Sequence, residues 1–169
     1  MAEAQDLQAL VDRAVKMGAL QAKPIAPASV VTAEWVRWKC RFGCGGYGSS
    51  LCCPPHSPTP AETRRLLDCY KRAILVHCKP GTRVKTIVAA LEREAFLAGH
   101  YRAFALGEGP CHLCDKCNLQ RCTHPREARP AMEACGIDVF ATARGNGYPI
   151  EVVTDRNCDQ NYYGLLLVD

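Results

Sequence analysis

Four cysteines within twelve residues constrain this chain more than any other feature of its sequence. Cys111, Cys114, Cys117 and Cys122 are separated by two, two and four residues. Thiols spaced so closely can surround one compact inorganic cluster, because a tight loop wraps the cluster and points backbone N–H groups at the sulfurs. The run therefore predicts a [4Fe–4S] cluster bound in a loop.

The spacing of this run differs from two common metal-binding patterns. Bacterial ferredoxins use C-x2-C-x2-C-x3-C-P, whereas here the last gap is four residues and Pro125 stands three residues after Cys122. Structural zinc sites usually combine two C-x2-C pairs across a longer loop, so three consecutive cysteines at x2 spacing suit zinc poorly. We favour an iron–sulfur cluster and keep zinc as the alternative.

A second cysteine-rich segment covers residues 39–58 and contains four cysteines, four glycines and three prolines. It has little apolar material to fold around, so a metal or cluster would order it, as structural metals order small domains. A glycine-rich loop with buried thiols is the alternative. Cys40, Cys44 and Cys53 are the predicted ligands, and the adjacent Cys52 either points into the core or is a further ligand.

The site predicted in segment 39–58 has only three firm local ligands. A fourth ligand could come from elsewhere in the chain, or an iron could remain open and bind a substrate. The candidates for the fourth position are Cys78, Cys135, Cys158 and His56.

Composition narrows the class of protein and its compartment. Twelve of the 169 residues are cysteine, which is high for a chain that we expect in the cytoplasm, where thiols stay reduced. The first six residues are acidic and amphipathic, unlike a secretory signal, and no run of about 18 apolar residues could span a membrane. The net charge of +4 includes no dense basic block, so we expect no nucleic-acid partner.

The hydrophobic pattern predicts one domain over residues 1–169, of the α/β or α+β class, with a small mixed sheet and flanking helices. The cysteines lie in two cluster-binding loops, 39–58 and 109–125. A capping box at Thr59-Pro60-Ala61-Glu62 marks one helix start. The predicted helices cover residues 4–20, 59–72, 82–98, 126–136 and 137–143, and the predicted strands cover 29–38, 73–78, 101–107, 149–153 and 162–168.

The order of several short motifs carries a resemblance that spans roughly residues 30 to 169. The motifs are Cys40-x3-Cys44, Tyr47-Gly48, Cys53-Pro-Pro-His56, Gly109-Pro-Cys111-x2-Cys114-x2-Cys117-x4-Cys122-x2-Pro125, Arg129-Pro-Ala-Met-Glu133, Gly136-Ile-Asp138-Val and Tyr163-Gly-Leu-Leu-Leu. In these motifs the chain resembles an uncharacterised family of small predicted metal-binding proteins from anaerobic bacteria and archaea. The resemblance implies iron–sulfur or other metal binding and does not specify a reaction.

Three functional hypotheses follow. The first is an electron-transfer protein with two [4Fe–4S] clusters, whose mild positive charge would suit an acidic ferredoxin or flavodoxin partner. The second is a redox enzyme, or an accessory that activates a metalloenzyme by reducing its metallocofactor, with an open iron at the 40–53 site. The third is a zinc-stabilised interaction protein.

Overall fold

A four-stranded antiparallel sheet organises the part of the chain that the computed structural model describes, residues 2–155 and 157–169, with side chains from residue 6 onward. The strands lie in the order β1-β2-β4-β3, and each neighbouring pair is antiparallel, so the prediction of a mixed sheet is wrong and the α+β alternative is found. Met1 and Arg156, which belong to the predicted 1–169 domain, lie outside the described residues. The strands are β1 Gln21–Ile25, β2 Ala73–Cys78, β3 Phe104–Leu106 and β4 Tyr162–Leu167.

Five α-helices and two short 3-10 helices flank the sheet within the described residues. Helix α3 begins at the predicted capping box: Thr59 accepts a hydrogen bond from the Glu62 N–H, and the Glu62 carboxylate accepts one from the Thr59 N–H. None of the described helices is both long and apolar enough to cross a bilayer. The α-helices are α1 Ala2–Lys16, α2 Glu34–Gly43, α3 Pro60–Leu67, α4 Val84–Leu97 and α5 Val139–Gly145, and the 3-10 helices are Pro27–Ser29 and Glu133–Cys135.

The two central strands are buried on both faces, which explains their nearly continuous apolar sequences. On one face, Ile74 and Val76 of β2 pack against α1 and α4. On the other face, Leu75 and Leu165 pack with Met132 and with residues of α3 and α5. The cysteine-rich segments therefore lie outside a continuous core, near the end of the sheet at which β2 and β3 end and β4 begins.

Gly164 lies in β4 where α4 approaches most closely. A Cβ atom at this position would lie 2.7 Å from Val88 Cγ1 and 2.8 Å from Val84 Cγ1. Because both valines are buried, Gly164→Ala would force α4 away from the sheet. We expect a loss of about 2 kcal/mol in the free energy of unfolding, measured by urea denaturation. An unchanged urea midpoint would contradict this expectation, because it would mean that α4 accommodates the added methyl group without loss of stability.

Three predicted elements need correction, and one strand was not predicted. Residues 29–38 form no strand, because α2 begins at Glu34 and its continuation to Gly43 makes the start of the predicted loop helical. Only Glu133–Cys135 of the predicted 126–136 helix is helical, and 149–153 pairs with no described strand. Strand β1 was not predicted, since Pro24 suggested a break, but β1 is an edge strand, where proline is tolerated.

Candidate metal centre

Three of the predicted ligands meet in one cavity of about 140 Å³, called here the three-cysteine cavity. Cys40 lies in the last turn of α2, and Cys44 follows immediately after that helix. Cys53 comes from the following loop and is buried. Gly109 and Pro110, which connect β3 to the 111–122 cysteine run, line another side of this cavity. The chain thus brings Cys40, Cys44 and Cys53 together.

The four cysteines of the 111–122 run line a separate cavity, called here the run cavity. Cys111, Cys114, Cys117 and Cys122 all contribute to its wall. Cys52 also lines it and lies near Cys111. Cys52 therefore lies with the cysteines of the 111–122 run, and not with Cys40, Cys44 and Cys53, with which its sequence position grouped it.

The adjacent residues Cys52 and Cys53 consequently face different cavities. Their Cα atoms are separated by one peptide unit, about 3.8 Å. Burial, together with the neighbouring Cys111, raises the pKa of the Cys52 thiol to about 12. Such a thiol stays protonated at neutral pH unless a metal replaces its proton. The two cavities are thus joined by the shortest covalent connection that two side chains can have.

Several sulfur atoms accept hydrogen bonds from nearby groups. The Gly46 N–H donates to Cys44 Sγ at 3.4 Å, and the His124 N–H donates to Cys122 Sγ at the same distance. Cys114 Sγ lies 3.3 Å from His124 Nδ1. Hydrogen bonds to sulfur stabilise thiolates and tune the potential of iron–sulfur clusters. His124 therefore contacts ligand candidates without being required as a ligand.

Arg37 fastens together the segments that build the three-cysteine cavity. Its Nη1 donates to the Ala134 carbonyl at 2.7 Å, the Pro58 carbonyl at 2.8 Å and Ser57 Oγ at 3.0 Å. These acceptors belong to the 3-10 helix near Glu133 and to the segment after Cys53, while Arg37 itself precedes Cys40 on α2. Sequence reasoning missed this residue, because an arginine between two tryptophans gives no signal of its role.

Lys85, in the first turn of α4, anchors the connection between the two cavities. Its Nζ donates to the Gly109 carbonyl at 2.5 Å and to the Pro110 carbonyl at 2.6 Å. Burial lowers the pKa of Lys85, and the nearby Glu108 and Cys111 oppose that shift. A Cβ atom on residue 107 would lie 2.4 Å from Lys85 Cγ, so glycine is needed there. A positive charge is thus fixed between the two groups of thiols.

Arg129 links the segment that follows the 111–122 cysteine run to α4. Its Nε donates to Glu92 at 2.6 Å in a bidentate ion pair, and its Nη1 donates to the Ala128 carbonyl. Both charged side chains are largely buried, at 13% and 15% exposure.

We expect Arg129→Met to lower the free energy of unfolding by about 3 kcal/mol, because Glu92 would remain as a buried, unpaired carboxylate. Urea denaturation measures this loss. The matched double variant Arg129→Met with Glu92→Met should recover part of the stability, since the Ala105 N–H loses its Glu92 acceptor, and a double variant as unstable as the single one would contradict this explanation.

None of the four sequence candidates for a fourth ligand lines the three-cysteine cavity. Cys78 and Cys135 are buried in the two hydrophobic clusters on either side of the sheet. Cys158 interacts with the Thr154 N–H and hydroxyl in a loop, and His56 is exposed. Instead, Glu133 lines the cavity. Its Oε2 is buried and has no hydrogen-bond partner among the described residues, and burial raises the pKa of its carboxyl.

A larger cavity of about 600 Å³ adjoins the three-cysteine cavity and shares Cys40, Cys44 and Glu133 with it. Its other walls are mostly apolar or aromatic, with Glu108 and Lys39 among the charged exceptions. This volume lies in the range of pockets that hold small molecules. The three-cysteine site is therefore open to a small ligand on one side.

The thiols line cavities and do not converge on a point. In residues 2–155 and 157–169, no group of three or more His, Cys, Asp or Glu side chains is arranged to hold a single metal ion. The donor set of both cavities is dominated by thiols, which favour zinc and iron–sulfur clusters over hard cations.

Comparison with known proteins agrees with a metal-binding role. Neither the curated proteins nor the solved structures include a match to this chain. One family does match, over residues 23–168, which include both groups of cysteines, and it is described as "Predicted metal-binding protein (DUF2284)". The chain belongs to this family of predicted metal-binding proteins of unknown function.

Proposed function

We propose that this protein binds two [4Fe–4S] clusters and transfers electrons. The observation that carries the proposal is the placement of Cys52 and Cys53, neighbours in sequence that face two separate thiol-lined cavities. One cluster would be held by the run cavity and the other by the three-cysteine cavity. A bound iron–sulfur cluster supplies reversible one-electron chemistry at a potential that the surrounding protein adjusts.

The arrangement of the thiols supports clusters over zinc. A zinc ion holds each sulfur at about 2.3 Å, so its four ligands must converge on one point. In a cubane cluster each cysteine binds a different iron, so the ligands stand around a larger body. The two consecutive x2 spacings of Cys111, Cys114 and Cys117 suit a body of that size better than a single ion. Zinc remains the alternative metal.

The two cavities differ in how completely they provide four thiols. Cys111, Cys114, Cys117 and Cys122 are sufficient for the run cavity, and Cys52 is an additional thiol there. Cys40, Cys44 and Cys53 are one short of four. The run cavity would therefore hold the more robust cluster, and the three-cysteine cavity the more reactive one.

The positive charges of the protein would favour reduction of the clusters and the binding of an acidic redox partner. Lys85 places a cation near Cys52, Cys53 and Cys111, which favours the reduced, more negative state of a nearby cluster. The net charge of +4 suits an acidic ferredoxin or flavodoxin as the redox partner. We place this activity in the cytoplasm of an anaerobic cell, where thiols stay reduced.

The first test is the metal and sulfide content of anaerobically purified protein, read with its visible spectrum. Two clusters require about eight irons and eight sulfides per chain, with broad absorption that bleaches on addition of dithionite. Protein produced with iron and sulfide that nevertheless contains only zinc and shows no visible absorption would overturn the proposal.

The large cavity supports a second candidate function, a redox enzyme or an activating accessory of a metalloenzyme. Cys40 and Cys44 line both this cavity and the three-cysteine cavity, so a small molecule could reach the metal there. Candidate cofactors or substrates that change the electron paramagnetic resonance (EPR) spectrum of the three-cysteine cluster would favour this function. A spectrum insensitive to every small molecule tested, with fast exchange to ferredoxin, would favour simple electron transfer.

A further inference from the structure

We propose that the carboxylate of Glu133 is the fourth protein ligand of the three-cysteine site. This inference rests on the proposed function, because it assigns a ligand to one of the two clusters. It replaces the sequence-based candidates with a residue that no cysteine or histidine pattern could reveal.

Glu133 lies where a fourth ligand is needed. Its side chain lines the same cavity as Cys40, Cys44 and Cys53. Its Oε2 is buried and has no hydrogen-bond partner within the described chain. A buried polar atom without a partner is costly and calls for an explanation, such as an ion that the atom binds. Coordination of an iron would satisfy this oxygen.

The backbone around Glu133 is fixed firmly enough to present a ligand. Arg37 and Ser57 both donate to the neighbouring Ala134 carbonyl, at 2.7 and 2.6 Å. Thr63 Oγ1 donates to the Cys135 carbonyl at 2.7 Å. Since Arg37 precedes Cys40 by less than one helical turn, these contacts set the distance between Glu133 and the cysteines. The position of Glu133 is thus determined by the same contacts that build the cavity.

A carboxylate ligand gives the iron that it binds a distinct chemistry. An oxygen donor is harder than a thiolate and binds iron in a cluster less tightly. Glu133 and two of the cysteines also line the large cavity, so the same iron faces a space that can hold a small molecule. We expect ligands with carboxylate, alkoxide or other oxygen donors to exchange with Glu133 at this iron.

The test compares Glu133→Gln and Glu133→Cys with the wild-type full-length protein after anaerobic reconstitution with iron and sulfide. Ferricyanide then removes one electron from each susceptible cluster, so that a [4Fe–4S]²⁺ cluster gives a [3Fe–4S]⁺ cluster and one released Fe²⁺. We expect wild-type protein to lose about one of eight irons in this way. Glu133→Gln should hold about seven irons before oxidation, because release of Fe²⁺ from a [4Fe–4S]²⁺ cluster leaves [3Fe–4S]⁰. Ferricyanide should then oxidise this cluster to [3Fe–4S]⁺ and give its EPR signal without releasing further iron.

Glu133→Cys should keep about eight irons and resist ferricyanide, because four thiolates complete the site. Glu34→Gln is the matched control, since Glu34 is exposed in the first turn of α2 and lines neither the large cavity nor the three-cysteine cavity. It should behave like the wild type. Circular dichroism establishes that each variant is folded, and the cysteine variant tests the assignment even if the glutamine variant is unstable.

The outcomes separate this inference from the proposed function. Wild-type protein with two clusters, together with Glu133 variants whose iron content and oxidation are unchanged, would overturn the ligand assignment alone. Wild-type protein that contains no iron and sulfide would overturn both. Loss of one iron in Glu133→Gln, with protection in Glu133→Cys, would establish the ligand.

Discussion

Replacing Cys53 with serine should remove one whole cluster, whereas replacing the adjacent Cys52 should remove none. Cys53 is one of only three thiols in its cavity, so its loss leaves two and the cluster cannot be held. Cys52 shares its cavity with four other cysteines, which are enough for four irons. We expect Cys53→Ser to retain about four irons and four sulfides per chain, and Cys52→Ser about eight.

Iron and sulfide analysis of anaerobically purified variants measures this difference directly. Cys69→Ser is the control, because Cys69 is exposed on the surface after α3 and donates to the Arg65 carbonyl. The explanation fails if the two adjacent variants lose the same amount of iron, or if Cys52→Ser loses more than Cys53→Ser. Either result would mean that the two side chains do not serve separate sites.

Arg37→Met should have the next largest effect, on both stability and cluster content. The substitution keeps most of the side-chain volume but removes the donor to Ala134, Pro58 and Ser57. Hydrogen bonds from a charged donor are worth about 1.5–3 kcal/mol, and buried acceptors without a partner add a penalty. Allowing for partial exposure of the arginine, we expect the free energy of unfolding to fall by about 3 kcal/mol. We also expect the three-cysteine cluster to be lost.

Arg41→Met provides a matched control for Arg37→Met. Arg41 lies one turn further along α2, is exposed and stacks over Phe42, so its replacement should change stability by no more than about 0.5 kcal/mol. Urea denaturation and iron analysis of both variants give the comparison. If Arg37→Met keeps wild-type stability and about eight irons, the proposed role of Arg37 in assembling the cavity is wrong.

The sequence predicted the elements whose signals are local. The buried strand at 73–78, the apolar run at 162–168 and the capping box at Thr59 all correspond to elements of the fold. Helix α2 was missed because the bulky residues at 35–38 favour strands intrinsically. In the fold, Val36 is buried while Trp35 and Trp38 are exposed, so tertiary contacts outweighed that preference.

The candidate site was predictable only in part, for a similar reason. Spacing along the chain grouped Cys111 to Cys122, and the structure places them around one cavity. Spacing also placed Cys52 beside Cys53, but in the fold the two residues line separate cavities. Glu133 is eighty residues from Cys53 in sequence, and a single glutamate has no spacing pattern that marks it as a ligand. Long-range packing alone brings it to the cavity.

The most direct test of two adjacent clusters is the EPR spectrum of the fully reduced protein. Two reduced [4Fe–4S] clusters in cavities lined by the adjacent residues Cys52 and Cys53 should couple magnetically, so the spectrum should be broadened or split and integrate to about two spins per chain. In Cys53→Ser the splitting should collapse to a simple signal of about one spin. A wild-type spectrum that is unsplit and integrates to one spin or none would contradict the account.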